Sequence, residues 1–189
     1  DEFCIHLSRI SPLEVLEGVR RLMNSRAQEK GLTLQIESIS KVPESIECDP
    51  TRLRQILINL IGNAIKFTDK GSILVLVHLL DASEAESEET MLEIMIVDSG
   101  IGMTDEQAER IFRPFAQASD TTSKKYGGTG LGLAISRRLA QLMRGDISVS
   151  STPGNGSIFR VALPTGSLDG VELHDQAELL RRIKAKKSE

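Results

Sequence analysis

Apolar residues recur at helical spacing in several stretches of this chain. Leu13, Leu16, Val19, Leu22, Met23 and Ala27 return every three or four positions, which predicts an amphipathic helix over residues 12–30. Ser11-Pro12 with Glu14 supplies its N-cap, a proline in the first turn and an early acid, and Gly31 ends it. Leu53, Ile56, Leu57, Leu60, Ile61, Ala64 and Ile65 predict a second helix, opened by Asp49-Pro50 and closing near 69–71. A short helix over 105–112 and a longer one over 131–143, ended by Gly145, follow. Between the helices the period becomes two. Leu32, Leu34 and Ile36, then Ile73, Val75 and Val77, then Leu92, Ile94 and Ile96 alternate with other residues and predict strands. Ile147 and Val149, with Ile158, Phe159, Val161 and Leu163, predict a closing hairpin around Pro153-Gly154-Asn155-Gly156. Residues 83–90, with four glutamates, read as an exposed hairpin loop, and 114–128 is a long Gly-, Ser-, Thr- and Lys-rich stretch with little apolar periodicity.

These elements predict an α+β fold: a two-layer sandwich with helices on one face of a mixed, largely antiparallel sheet. After Pro164 the chain changes character. Residues 166–189 hold Gly-Ser and Asp-Gly steps and then an acidic-to-basic helical segment, and they read as a linker or tail. A length of 189 residues suits one domain with a real core, and 40% hydrophobic with 26% charged residues is a soluble globular composition. Lys and Arg number 23 against 27 Asp and Glu, a net charge of −4. No basic excess exists to neutralise a nucleic-acid backbone, though one phosphate ligand needs only a few local donors. Aromatics are 3% with no Trp, so stacking platforms for single strands are scarce. No apolar run approaches a membrane span and the start at Asp1-Glu2 is not a signal peptide, so neither a spanning nor an exported chain is expected. Cys4 and Cys48 have no metal-binding spacing and are expected as reduced thiols of a cytosolic domain.

Four clusters carry candidate chemistry. Arg52, Gln55, Asn59, Asn63 and Lys66 form one polar stripe on the second helix. It reads either as a solvated face or as two amide oxygens for a hard cation with a lysine one turn on for phosphate. Asp98-Ser99-Gly100-Ile101-Gly102 follows a strand directly. It is either a plain Asx turn or a carboxylate beside a backbone that a flat ligand can approach. Gly127-Gly128-Thr129-Gly130-Leu131-Gly132-Leu133 runs from loop into helix, where free N–H groups attract phosphate, unless the glycines serve only the turn. It is not a P-loop, and the dinucleotide fingerprint fails because the third glycine would fall on Leu133. Gly154 and Gly156 read as hairpin chemistry.

Taken in order, the blocks DPTRLRQILINLIGNAIKFTDKG (49–71), DSGIGM (98–103), IFRPFAQ (111–117), GGTGLGLAIS (127–136) and TPGNGSIF (152–159) resemble the N, G1, F, G2 and G3 boxes of the sensor histidine kinase catalytic domain. That domain belongs to the ATPase superfamily shared with the Hsp90 chaperone, DNA gyrase and MutL. The resemblance covers roughly residues 10–164 and is nearest to the hybrid-type kinases. It implies the Bergerat ATP-binding fold, ATP and Mg²⁺ as ligands, and a protein-histidine kinase activity. Asn63 would hold Mg²⁺, Asn59 would support it, and Lys66 would neutralise phosphate. Phe67 would lie against adenine, Asp98 would accept its amino hydrogen, and Gly100, Gly102 and Met103 would line the purine pocket. Residues 103–128 would be a lid, anchored by Phe112 and Phe115, with Lys124, Lys125 and Tyr126 near its hinge. Gly128, Gly130 and Gly132 would cradle the phosphates, with Gly127, Thr129, Leu131 and Leu133 also in the nucleotide-binding set, and Gln117 would stand near the γ-phosphate.

Hydrolysing members of the superfamily carry Glu as general base four residues before the metal-binding Asn. Here that position is Asn59, and an amide takes no proton at neutral pH. Transfer to a neutral imidazole needs no such base, so the resemblance and the chemistry together favour kinase over ATPase. The remaining rivals are a degenerate interaction module and a chaperone-type ATPase. The phosphoacceptor is expected elsewhere, because His6, His78 and His174 lack its context and read as structural or exposed. The expected organisation is 1–12 as the end of a linker from a dimerisation hairpin, 13–165 as the catalytic domain and 166–189 as a tail. The implied partners are that hairpin and a response-regulator receiver domain. The domain alone is expected to be monomeric and cytoplasmic, with no nucleic-acid partner.

Overall fold

The computed structural model describes residues 4–81, 83–85, 89–114 and 130–186. Helix α1 (Pro12–Glu29) follows the short strand β1 (Ser8–Ile10), and helix α2 (Pro50–Phe67) follows strands β2 (Thr33–Ser38), β3 (Val42–Pro43) and β4 (Ile46–Cys48). Ser11 caps α1 by accepting from the Glu14 N–H, and Asp49 caps α2 by accepting from Thr51 and Arg52. Asp49 also accepts from the His6 N–H at 2.9 Å, so the same carboxylate ties the N-terminal segment to α2. Burial would raise its pKa, but donors from His6, Arg52 and Thr51, with the Arg52 charge, hold it below the ordinary 3.8.

Strands β5 (Ser72–Leu80) and β6 (Met91–Asp98) precede the short helix α3 (Asp105–Arg110) and helix α4 (Gly132–Leu142). Strands β7 (Asp146–Thr152), β8 (Gly156–Pro164) and β9 (Leu173–His174) and helix α5 (Gln176–Lys186) complete the chain. The main sheet has the order β2-β5-β6-β8-β7, with β2 parallel to β5 and the other pairs antiparallel. Small ladders join β1 to β4 and β3 to β9. Ile73, Val75 and Val77 of β5, Ile94 and Ile96 of β6, and Phe159 and Val161 of β8 point to one face. There they share a single core with Leu13, Leu16 and Val19 of α1, Leu53, Ile56, Leu57, Leu60 and Ile61 of α2, and Leu139 and Ala140 of α4. The fold is therefore the expected two-layer arrangement.

Element ends differ from the sequence pattern for local reasons. α2 stops at Phe67 because Thr68 turns to extended backbone (φ −106°, ψ 118°). α4 ends without using Gly145 as its left-handed residue. Arg144 takes φ 65°, while Gly145 is required for space, since a Cβ there would meet the Ala162 carbonyl oxygen at 2.1 Å. Residues 86–88 of the expected acidic loop, like residues 115–129, lie outside the described residues. Cys4 is exposed and Cys48 buried, the latter with its pKa pushed up to about 12 by burial and by the Asp49 charge. No described helix is long and apolar enough to cross a membrane.

The largest departure lies at the C-terminus. The segment expected as linker or tail is ordered against the domain through β9 and α5. Leu179 is 1% exposed and joins the core, with Leu180 and Ile183 packed beside it. Gln176 lies against the edge strand as a side-chain substitute for another strand: its amide donates to the Ile36 carbonyl at 2.7 Å and its Oε1 accepts from the Ser38 N–H at 2.8 Å. Sequence spacing cannot reveal such a partner 140 residues away. Leu179→Ala should lower stability by about 2–5 kcal/mol, the usual range for emptying a buried leucine site, measured by chemical unfolding. A change near zero would mean that the C-terminal helix does not belong to the folded core.

Candidate functional site

Two junctions lie along α2: its C-terminus meets the loop after β6, and its middle faces the N-terminus of α4. The end of α2 is held by Lys30, whose ammonium donates to the carbonyls of Ile65, Lys66 and Thr68 at 2.8, 3.2 and 2.7 Å. The Phe67 carbonyl then accepts from the Ile101 N–H at 3.2 Å, which joins this terminus to the loop after β6.

Gly100 sits in that joint. A Cβ on it would lie 2.5 Å from the Phe67 carbonyl oxygen, 2.8 Å from Asp98 Oδ1 and 3.0 Å from Thr68 Oγ1. Asp98 is 7% exposed and accepts from the Gly100 N–H at 2.9 Å. Burial raises its pKa above 3.8, against the opposing backbone bonds from Gly100 and Ser157. Thr68 is fully buried, and among the described residues its hydroxyl has no hydrogen-bond partner. An orphaned hydroxyl beside a buried carboxylate, with no side chain at Gly100, is an arrangement that an amino-bearing heterocycle can satisfy.

Asn59 faces the start of α4. Its amide donates to Ser136 Oγ at 2.9 Å, and a Cβ on Gly132 would lie 2.6 Å from its Oδ1. Leu131 occupies the N-cap position, and its side chain can accept no hydrogen bond from the first-turn N–H groups. Such groups can bind an anion. Asn63 and Lys66 continue along the half-buried stripe of α2. Lys66 Nζ lies 5.0 Å from the centre of the Phe67 ring. Amide oxygens on this stripe are hard donors of the kind Mg²⁺ accepts alongside phosphate and water.

The loop after β6 is held from below by the β7–β8 hairpin. The Gly154 N–H donates to the Ile101 carbonyl at 2.8 Å, and the Met103 N–H to Ser151 Oγ at 2.8 Å. Gly156 (φ 85°) must lack a side chain, because a Cβ would meet the Asp98 carbonyl oxygen at 1.9 Å; Gly102 (φ 64°) packs as closely on Thr152. Gly102 and Gly156 thus place Asp98 through backbone contact. Phe112 packs edge-on against Phe159 at 6.4 Å and under the Arg137 guanidinium at 5.0 Å, fixing the end of α3 to the sheet.

Asn59 is thereby brought against Gly132, and Phe67 and Asp98 against Gly100, with Gly102 and Met103 following in the same loop. Gly130, Leu131 and Leu133 begin α4 or precede it, half-buried, with Leu133 against the core. Phe115, Gln117, Lys124, Lys125, Tyr126, Gly127, Gly128 and Thr129 lie outside the described residues. Sequence spacing does not point to Thr68, Lys30, Ser136 or Ser151, which the fold brings to these junctions. Only Thr68 left a trace in the sequence, as the first polar residue after the apolar run of α2.

The sequence profile described as "Histidine kinase-, DNA gyrase B-, and HSP90-like ATPase" matches residues 48–167. The chain is 42% identical over 144 residues to the signal transduction histidine-protein kinase BarA of Escherichia coli K12, across 76% of this chain and 15% of BarA. It is 41% identical over 150 residues to the sensor protein GacS of Pseudomonas syringae pv. syringae, across 79% of this chain and 16% of GacS. Full-length ShkA, solved in complex with AMPPNP, superposes with a TM-score of 0.74 at 34% identity, over 87% of this chain and 32% of that one. The chain thus spans about one sixth of the length of these two curated relatives.

Removing the Asp98 charge while keeping an acceptor tests the burial argument. A carboxyl whose folded pKa is raised destabilises the fold as pH climbs past the ordinary 3.8 and the folded value, because the unfolded state ionises first. Asp98→Asn should therefore match the wild type in acid and exceed its unfolding midpoint at pH 7. A lower midpoint at pH 7 would show that hydrogen bonding outweighs burial at this carboxylate.

Proposed function

Because the chain belongs to the histidine kinase-, DNA gyrase B-, and HSP90-like ATPase family, we propose that it is the Mg-ATP-binding catalytic domain of a two-component sensor histidine kinase. It passes the γ-phosphoryl group to a histidine on a dimerisation hairpin outside this chain, for relay to the receiver domain of a response regulator. Residues 13–165 are the catalytic unit and work in the cytoplasm, where ATP is available.

The observation that carries the reading is the pair of buried groups beside Gly100, the Asp98 carboxylate and the Thr68 hydroxyl that has no partner among the described residues. Adenine presents an amino donor next to a ring acceptor, which matches a carboxylate (Asp98) next to a hydroxyl (Thr68). Both protein groups are buried, so a ligand that left either unpaired would lose affinity. The relatives' names support the kinase assignment, and AMPPNP in ShkA supports the class of ligand.

Within this reading Phe67 packs on the base, and Gly100, Gly102 and Met103 shape its pocket. The α4 terminus, with Gly127, Gly128, Thr129, Gly130, Leu131, Gly132 and Leu133, holds the phosphates, joined by Lys66, Lys125, Tyr126 and Gln117. Asn63, supported by Asn59, holds Mg²⁺, which supplies charge neutralisation at the phosphates. Asn59 cannot serve as a general base: its amide already donates to Ser136 and has no site for a proton at neutral pH. Without a base there is no activated water, whereas an incoming neutral imidazole needs none. Asn59, Lys66 and the N–H groups therefore orient the phosphoryl group and stabilise its charge without moving a proton.

Thermal unfolding with Mg-ADP or AMPPNP should give a rise of roughly 5–10 °C at a hundredfold excess over Kd. Asn63→Ala should remove the Mg²⁺ dependence of that rise. Thr68→Val should raise the unliganded midpoint, because it removes an unpaired buried hydroxyl, and weaken nucleotide about tenfold. A purified hairpin domain added with ATP should then become phosphorylated on histidine. No shift at millimolar nucleotide would leave an interaction module, and steady phosphate release without an acceptor would restore the ATPase reading.

A further inference from the structure

The C-terminal strand carries a histidine into a ring of carboxylates. His174, on β9 opposite Val42, is 5% exposed. Its Nδ1 lies 3.4 Å from Glu178 Oε2, one turn along the chain. Its Nε2 lies 3.2 Å from Glu172 Oε2 and 3.7 Å from Glu44 Oε2. With Glu178 accepting from Nδ1–H, the neutral ring keeps its lone pair on Nε2. That lone pair faces two further acceptors, and among the described residues Nε2 has no hydrogen-bond partner. Arg182 joins the group at 3.0 Å from Glu172, 3.1 Å from Glu178 and 3.8 Å from Glu44. Among the described residues three carboxylates stand against one guanidinium around a buried imidazole, an acidic surplus that favours a divalent cation.

We propose that Glu44, Glu172 and His174 form a binding site for a divalent transition-metal ion of the zinc type, with Glu178 orienting the imidazole. The Nε2 and the two carboxylate oxygens all lie within 4.8 Å of one another. Bonds of about 2.0–2.1 Å in a tetrahedral site put neighbouring donors ~3.3 Å apart, so only small shifts close the set. One imidazole with two carboxylates suits zinc, whereas Mg²⁺ and Ca²⁺ prefer oxygen throughout. A carboxylate on the far nitrogen of a ligating histidine fixes its tautomer and raises its basicity. Glu172 is 65% exposed at its side chain, which leaves a fourth position open to water. Glu44 lies between β3 and β4, whereas Glu172 and His174 belong to the C-terminal segment. The ion therefore staples that segment to the domain, independently of the nucleotide pocket.

Calorimetric titration of ZnCl₂ into the whole chain, with Cys4→Ser removing the exposed thiol, should give one ion per chain, and excess MgCl₂ should not displace it. Zinc should raise the unfolding midpoint by roughly 5–10 °C at a hundredfold excess over Kd. Glu172→Gln and Glu44→Gln, partly exposed and so neutral to the fold, should each weaken zinc binding at least tenfold. Glu37→Gln, an exposed carboxylate on β2, should not. His174→Asn should abolish binding, and if it unfolds the two glutamine variants still decide. Absence of binding at 100-micromolar zinc, or equal affinity in Glu172→Gln and Glu44→Gln, would overturn the site.

Discussion

The rotation of α2 about its own axis is the constraint on which the site depends. Leu53, Ile56, Leu57, Leu60, Ile61, Ala64 and Ile65 are all buried, and that burial leaves one azimuth for the helix. Each fully buried aliphatic side chain contributes about 1.5–3 kcal/mol, so turning the helix to hide Asn59 or Lys66 instead is prohibitively unfavourable. The polar stripe is thus aimed by the apolar residues on the opposite face of the helix. Lys30, gripping three carbonyls at the helix end, fixes the axial position as well.

A second constraint is the close approach of backbone to backbone around Asp98. Gly100, Gly102 and Gly156 bring α2, the loop after β6 and the β7–β8 hairpin nearer than any side chain would permit. The carboxylate is then buried beside an orphaned hydroxyl, and both conditions are unfavourable to the unliganded fold. Such local frustration is ordinary at binding sites, where a ligand supplies the missing partners. The same logic operates in the ring around His174, where acceptors face acceptors.

The two regions differ in how the sequence encodes them. Asp98, Gly100 and Gly102 sit within five residues, and Asn59, Asn63 and Lys66 within eight, so their relation follows from strand and helix geometry alone. Glu44 and His174 are far apart in the chain and meet because β3 pairs with β9. Two-residue strands carry no alternation from which to infer such a pairing. His174 therefore read only as a histidine in a tail, and its burial emerged with the docking of α5.

By itself the sequence determined the alternation of helices and strands, the two-layer arrangement and the polar stripe of α2, because local periodicity and burial are linked residue by residue. It also carried the order of glycine and acidic motifs that marks the family. Tertiary structure alone decided that the Thr68 hydroxyl beside Asp98 lacks a partner among the described residues, that Asn59 is engaged by Ser136, and that Arg144 rather than Gly145 turns left-handed. It likewise decided that Gln176 completes the edge of the sheet. Each of these is a contact between segments distant in the chain or a competition for space at one atom. No spacing rule records such contacts, because they exist only once the core has fixed where the segments lie.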